Sequence, residues 1–110
     1  MKNCLSVEQS AELIKRGVSA NRAHEIKVYD DPVSEWTHKG CPLFTLADLL
    51  SLLPVDIYYE HKTYELAMKF ISEKWHVEYS FNFDDILELK PATELIDALY
   101  EMVLWCLDNN

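Results

Sequence analysis

The chain has 110 residues and a mass of 12.9 kDa, with 49% hydrophobic and 26% charged residues, which is typical of one globular domain. Its 19 acidic and 10 basic residues give a formal net charge of −9, so phosphate backbones and anionic membranes should be repelled. No apolar run approaches the roughly 18 residues of a membrane span, and the first residues lack the pattern of a signal peptide. We therefore expect a single compact domain over residues 1–110, with no direct nucleic-acid binding and no membrane contact.

The cysteines indicate a reducing compartment. Cys4, Cys41 and Cys106 are three in number, widely spaced and without a CxxC motif, which argues against a disulfide framework. We predict a cytoplasmic protein whose thiols are buried, and we expect no cofactor.

A short helix is predicted near the N-terminus. Ser6 begins a capping box, because its hydroxyl can accept from the amide of the glutamine three residues on, whose side chain reaches back. The helix should run to about residue 16. Gly17 then suits the left-handed position that follows a helix, and Val18 is placed to contact Leu13 as in a Schellman motif.

Residues 19–44 carry weaker patterns. The alternation across residues 24–29 predicts a strand, Asp30-Asp31-Pro32 predicts a turn, and a second short strand is expected around residues 35–38. Gly40-Cys41-Pro42 should then interrupt the chain again.

A leucine-rich helix follows. Thr45 suits its N-cap, and the helix should end before Pro54, because the residue that precedes a proline disfavours helical geometry. Its inner side is nearly all leucine, which predicts a place in the core: Leu46, Leu49, Leu50, Leu52 and Leu53.

The strongest pattern is an antiparallel three-stranded meander over residues 55–81. With His61-Lys62 and Glu73-Lys74 at the two hairpin tips, the residues opposite each other divide into two faces, and Lys69 comes out directly opposite Glu78. One face is apolar: Val55, Ile57, Tyr59, Tyr64, Leu66, Met68, Phe70, Val77, Tyr79 and Phe81. The other face is mainly polar: Asp56, Tyr58, Glu60, Glu65, Ala67, Lys69, His76, Glu78 and Ser80.

Neither hairpin tip has the Asn-Gly or Gly sequence that a two-residue loop prefers. Four-residue loops over residues 60–63 and 72–75 are the alternative. They preserve the two faces, because an even change in loop length keeps the alternation of side chains.

A short strand over residues 86–89 and a long helix complete the chain. Pro91 suits the first turn of that helix, and Glu94 lies near the positive end of its dipole. On a helical wheel the acidic residues form one stripe about 60° wide: Glu94, Asp97, Glu101 and Asp108. The other positions of residues 95–107 are apolar, over more than twice the arc of about 100° that packing on one sheet requires.

Two explanations account for this surplus of apolar surface. Either the helix is sandwiched between the meander and the other helices, or another chain covers part of it, through Tyr100, Leu104 and Trp105. In both cases the predicted fold class is α+β. It consists of an antiparallel three- to five-stranded meander sheet, with one face covered by a long C-terminal helix and two shorter helices.

Candidate catalytic and metal-binding residues are few. His38 and Cys41 have a spacing seen in zinc sites, and Cys4 and His24 are further available ligands, but the sequence lacks the second tight pair that such a site requires. A nucleophilic Cys41 with His38 as its base lacks a recognisable third orienting group. We therefore predict no metal site and no catalytic residue, and an enzyme is the less favoured interpretation.

The acidity suggests an inhibitor that mimics DNA and occupies the basic cleft of a nuclease or repressor. The acidic stripe of the last helix and the cluster Asp84-Asp85-Glu88 motivate this hypothesis. A run of charge is more often a solvated face.

Three segments carry capping and packing motifs: NCLSVEQ at residues 3–9, CPLFTLADLL at 41–50 followed by LLP at 52–54, and LIDALYEM at 95–102 followed by WC at 105–106. Together they resemble a group of small uncharacterised proteins encoded in phage genomes and mobile elements of gut bacteria. The resemblance implies no particular activity. It implies a bacterial cytoplasmic accessory protein, for which contact with a host or phage protein is more natural than metabolism.

The sequence thus favours a non-enzymatic accessory domain that acts by protein–protein contact, self-association included, through Tyr100, Leu104 and Trp105. Its expected partner is another protein or a second copy of itself. The alternatives are the acidic DNA mimic and a small enzyme or metal-binding protein that uses His38 and Cys41.

Overall fold

The computed structural model describes residues 3–27, 41–82 and 84–109. Its elements in chain order are α1 (Val7–Lys15), a 3₁₀ turn (Ala20–Arg22), β1 (Glu25–Lys27), β2 (Cys41–Leu43), α2 (Leu46–Leu52), β3 (Asp56–Tyr59), β4 (Lys62–Ile71), β5 (Lys74–Phe81), β6 (Asp85–Ala92) and α3 (Leu95–Asp108). Strands β3 to β6 form an antiparallel meander in chain order, and α3 packs on β5 and β6. The predicted α+β fold is confirmed. Among the described residues, no helix is long and apolar enough to cross a membrane.

α1 begins and ends where its capping residues predict. Ser6 Oγ accepts from the Gln9 N–H at 3.1 Å, and the Gln9 side chain accepts from the Ser6 N–H at 3.0 Å. At the other end Gly17 has a φ of 105°, and the Val18 N–H donates to the Leu13 carbonyl at 3.0 Å. The capping box and the Schellman motif are both confirmed.

α2 begins with a second capping box. The Asp48 N–H donates to Thr45 Oγ1 at 3.2 Å, and the Thr45 N–H donates to Asp48 Oδ2 at 2.9 Å. The predicted helix is confirmed at Leu46–Leu52, ahead of Pro54. Leu49 and Leu53 of the predicted inner side are buried.

β1 and β2 form a separate two-stranded sheet. β1 lies within the strand predicted over residues 24–29. The expected interruption at Gly40-Cys41-Pro42 is wrong for Cys41 and Pro42, which belong to β2. The proline is tolerated because an edge strand can turn its missing N–H away from the partner strand. Two other predictions for this region lie outside the described residues: the turn at Asp30-Asp31-Pro32 and the strand over residues 35–38.

Each hairpin of the meander turns one residue earlier than predicted. The tips are Glu60-His61 and Ser72-Glu73, with φ values of 49°, 68°, 52° and 63°. Positive φ at both central residues is the geometry of a two-residue type I′ loop. The expected tips at His61-Lys62 and Glu73-Lys74, and the alternative four-residue loops, are therefore wrong.

The observed register places Trp75 opposite Phe70, with their ring centroids 5.2 Å apart. In the predicted register Trp75 would lie opposite Ser72 beside the turn, so the observed one gains an aromatic pair. The partner of each residue moves by two positions along the neighbouring strand. Because this number is even, every side chain keeps its predicted face. Lys69 and Glu78 are diagonal neighbours rather than directly opposed, and their charged groups lie 3.1 Å apart.

We call the sheet face that carries Val77 and Tyr79 the helix face, because α3 packs there. The opposite face is unevenly exposed. On β5 both Glu78 and Ser80 are buried, whereas Asp56 on β3 is exposed. β5 lies between two strands, so side chains of both neighbours shield its own side chains from solvent. β3 lies at the edge of the described sheet and is shielded from one side.

β6 is longer than expected and includes the proline that was predicted to start the last helix. The strand extends beyond residues 86–89, and Pro91 is in register with His76. α3 begins at Leu95, with Glu94 at its N-cap. The expected position of Pro91 in the helix is wrong, because an outer strand accepts a proline whose missing N–H faces away from the ladder.

α3 supplies much of the core. Tyr79 is fully buried beneath it, and the Tyr79 hydroxyl donates to the Pro54 carbonyl at 2.7 Å. Its ring centroid lies 6.3 Å from that of Trp105. Tyr79 thereby connects the centre of the sheet to the α2–β3 connection and to the last turns of α3. The buried residues of α3 are Leu95, Ile96, Ala98, Leu99, Tyr100, Met102 and Val103.

Replacing Tyr79 by Phe should lower the free energy of unfolding by about 1 kcal/mol, because it removes the hydroxyl that donates to the Pro54 carbonyl and keeps the ring. Urea unfolding followed by circular dichroism measures this. The matched control is Tyr58→Phe at a side chain that is 70% exposed, where the change should stay within about 0.5 kcal/mol. Equal effects of the two substitutions would contradict the role given to the Tyr79 hydroxyl.

Candidate functional site

The end of α3 and the start of β3 border an open apolar groove. Its volume is about 460 Å³, which falls within the range of ligand-binding clefts. We call it the α3 groove and define it by its lining residues: Leu52, Pro54, Ile57, Tyr59, Leu87, Trp105, Cys106, Leu107 and Asn109. Four elements or their connections thus contribute to it, namely α2, β3, β6 and α3.

The groove lies where the burial of α3 decreases. Residues 95–103 are mostly buried, residues 104–107 are half-buried, and Asp108 is exposed. On the other side Pro54 ends the α2 connection, and its carbonyl is held by the Tyr79 hydroxyl. One wall is therefore anchored to the sheet, while the wall formed by the last turn of α3 remains accessible.

The three residues predicted as an interaction surface occupy different environments. Tyr100 is 9% exposed and belongs to the core. Leu104 is half-buried, and Trp105 is half-buried and lines the α3 groove. The structure does not bring Tyr100 into the groove, and the role of the three residues in binding stays a prediction.

The residues that line the groove include no Asp, Glu, Lys or Arg. Burial raises the pKa of the Cys106 thiol, and a hydrogen bond with Tyr79 opposes this only in part. Burial also raises the pKa of Tyr79, as does the neighbouring Cys106. At neutral pH both groups keep their protons, so Cys106 contributes an apolar surface rather than a reactive thiolate.

Exposed apolar side chains lie in and next to β3. Val55 is 81% exposed and Tyr58 is 70% exposed, and Tyr59 of the groove is also largely accessible. A second exposed apolar surface lies at the β4–β5 hairpin: Met68, Phe70 and Ile71. Exposed apolar patches of this kind commonly mark interaction sites.

A polar cluster around Asp48 is the main feature that the sequence analysis did not identify. The buried carboxylate of Asp48 accepts from the Thr45 N–H and from the His24 N–H, each at 2.9 Å, and from His24 Nδ1. Arg22 donates to Ser51 Oγ at 3.1 Å nearby. The cluster fixes residues 22–24 against α2. The imidazole of His24 is 74% exposed.

The proposed zinc ligands are not assembled in the described part of the chain. His24 uses Nδ1 to contact Asp48, and Cys4 is half-buried beside Thr45, to which it forms a single β-bridge. His38 and the side chain of Cys41 lie outside the described residues. Within residues 3–27, 41–82 and 84–109, no group of three or more His, Cys, Asp or Glu side chains could hold a metal ion.

Two members of the acidic stripe contact α1 or the residue that caps its C-terminus. Gln9 donates to Asp97 at 3.0 Å, and Arg16 forms an ion pair with Asp108. Glu101 is exposed. The acidic cluster near β6 is also partly neutralised, because Lys62 lies 2.7 Å from Asp85.

The sequence contained a local pattern for Asp48 but none for the groove. The spacing of Thr45 and Asp48 is that of a capping box, and it indicates a second, carboxylate acceptor beside the predicted N-cap. Leu52, Ile57 and Leu87 are apolar residues of three separate elements. Only the tertiary structure shows that they border an open volume and not the closed core.

Fold and groove together define an α+β domain with an open apolar cleft. Neither protein-family models, nor curated proteins, nor solved structures gave a match to this chain.

The Asp48 cluster predicts an acid-sensitive contribution to stability. Burial raises the pKa of Asp48, but hydrogen bonds from Thr45 and His24 outweigh burial and hold that pKa below its ordinary value. The ionised carboxylate therefore stabilises the fold above about pH 4, and this contribution is lost as the pH falls through the lowered pKa.

Asp48→Asn should reduce the free energy of unfolding by about 2 kcal/mol at pH 7, and by less as the pH is lowered below about 4. Urea unfolding of both proteins over this pH range measures the difference. The control is Asp84→Asn at an exposed position, for which a much smaller effect is expected. A difference for Asp48→Asn that stays constant with pH would refute the charge-based explanation.

Proposed function

We propose that this protein is a non-enzymatic accessory domain that binds another polypeptide through the α3 groove. The observation that carries the proposal is the groove itself, an apolar volume of about 460 Å³ that remains open beside the last turn of α3. A cleft with apolar walls and few polar groups is suited to binding apolar side chains.

The surroundings of the groove support a polypeptide as its ligand. Tyr59 and Trp105 are large aromatic side chains from two different elements that line the groove, and such residues are enriched among those that dominate binding energy. The accessible Val55 directly precedes β3 on the same sheet face as Ile57 and Tyr59, and it extends the apolar surface beyond the groove. A ligand that contacts both the groove and Val55 must be longer than a small molecule held in the groove alone.

The cellular setting is part of the proposal. The cysteine pattern favours the cytoplasm, and the resemblance to proteins of phages and mobile elements favours a bacterial host or phage protein as the partner. Self-association through the same surface is the other form of protein contact considered. The charge of −9 on each copy opposes it.

A peptide-display selection tests the proposal. A library of random peptides of about twelve residues is selected against three forms of the protein: wild type, Leu107→Glu in the α3 groove, and Ile71→Glu at the β4–β5 hairpin. We expect wild type and Ile71→Glu to enrich the same peptides and Leu107→Glu to lose them, because a buried carboxylate opposes the binding of apolar side chains.

Circular dichroism verifies that each variant is folded, and Tyr59→Ser replaces Leu107→Glu if the latter is not. Light scattering detects self-association, and a dimer abolished by the groove variant also supports the proposal. Peptides that bind Leu107→Glu as well as wild type, or that are lost only with Ile71→Glu, would place binding elsewhere and overturn it.

A further inference from the structure

We infer that the ligand of the α3 groove is an extended segment of a partner protein, with alternating apolar and basic residues, that adds as a strand to the edge of β3 with which no described strand pairs. The inference rests on the proposed function and specifies its binding mode and partner chemistry. Strand addition supplies main-chain hydrogen bonds, while alternate side chains enter pockets on one face.

The first argument is the hydrogen bonding of β3. Leu66 N–H donates to the Val55 carbonyl at 3.0 Å, which fixes Val55 as a residue whose backbone groups face β4. In an antiparallel pair this role alternates, so Ile57 and Tyr59 also face β4, whereas the N–H and C=O groups of Asp56 and Tyr58 face the other side. Among the described residues no strand pairs with that side of β3.

The two edges of the meander differ in their protection. β6 carries Pro91 and a Glu88–Lys90 ion pair of 3.5 Å, features with which natural edge strands resist the addition of another strand. β3 contains no proline and a single charged residue, Asp56, and both Tyr58 and Tyr59 are largely exposed. Within the part of the chain that the structure describes, the β3 edge is therefore the one open to an added strand.

The second argument is the alternation of the β3 side chains. Ile57 and Tyr59 line the α3 groove, whereas Asp56 and Tyr58 lie on the opposite face. In a strand paired to β3, the side chains beside Ile57 and Tyr59 would enter the groove and should be apolar. The intervening side chains would lie beside Asp56 and Tyr58.

The third argument is charge. Asp56 lies directly opposite Glu65 on β4, and both side chains are exposed. Directly opposed like charges destabilise a sheet, and a cation beside them would reverse the effect. No ion pair joins either carboxylate to another described residue, whereas nearby Lys62 is paired with Asp85 at 2.7 Å. Basic side chains in the added strand complement Asp56 and Glu65, and a second copy of this acidic chain fits the same edge less well.

A synthetic peptide tests the inference directly. Its sequence alternates Lys with Val or Leu over about eight residues, with both termini blocked. Titration calorimetry should detect binding to wild type, and amide hydrogen exchange of the complex should show new protection at Asp56 and Tyr58. A peptide with Glu in place of Lys should bind at least about tenfold more weakly.

Two N-methylated forms of the peptide separate strand addition from other modes. In one form the amides of the Lys residues are methylated, and in the other those of the apolar residues. Only alternate amides of an added strand face β3, so one form should lose binding and the other should retain it. Loss with the Lys amides indicates antiparallel addition, and loss with the apolar amides indicates parallel addition. Equal behaviour of the two forms would overturn the inference.

Charge variants of the protein complete the test. Asp56→Asn combined with Glu65→Gln should weaken binding of the Lys peptide about tenfold, whereas Glu73→Gln at the other hairpin tip should not. Unchanged binding by the double variant would overturn the basic-partner assignment.

The outcomes distinguish this inference from the proposed function. If the peptides from the display selection fail to bind Leu107→Glu, but N-methylation of the peptide backbone has no effect, the proposed function stands and strand addition is rejected. Binding that is insensitive to Leu107→Glu rejects the proposed function itself.

Discussion

The buried phenol of Tyr79 is the contact on which the arrangement of this protein depends. Its hydroxyl holds the Pro54 carbonyl, and its ring lies against Trp105, so one side chain of the central strand fixes the α2–β3 connection and the end of α3. These are the two sides of the α3 groove. A phenol suits this position because it combines a large apolar ring with one hydrogen-bond donor. The shape of the groove therefore depends on the same Tyr79 contacts that hold the core together.

The features predicted correctly from the sequence, the helix caps and the two sheet faces, depend on local chemistry. The capping residues Ser6 and Thr45, together with Gly17, satisfy backbone groups within a few residues, and such motifs keep their meaning in any tertiary context. The faces of the meander also followed from sequence, because side chains alternate along a strand. The register did not, since two registers that differ by an even step have identical faces. The pairing of Trp75 with Phe70 and the positive φ of the turn residues distinguish them.

The candidate site was predictable only in part, because it combines elements that are distant in sequence. The excess of apolar surface on the last helix was evident, and Trp105 does line the groove. Which residues of that helix enter the core depends on the docking of α2 and α1. Tyr100 is covered in this way, and Asp97 and Asp108 of the acidic stripe are engaged by α1 and the residue that caps its C-terminus. No periodicity within a single helix contains that information.

The turn at Glu60-His61 has a consequence for the dynamics of the sheet. Neither residue is glycine, and a left-handed conformation costs such residues about 1 kcal/mol or more each. The turn that precedes β5 has the same geometry, but β3 is held by one short ladder, whereas β5 has a neighbour on both sides and α3 above it. Local opening should be easiest at β3 and rarest at β5. If β3 accepts a partner strand as proposed, this plasticity would let it adjust to partners of different sequence without disturbing the core.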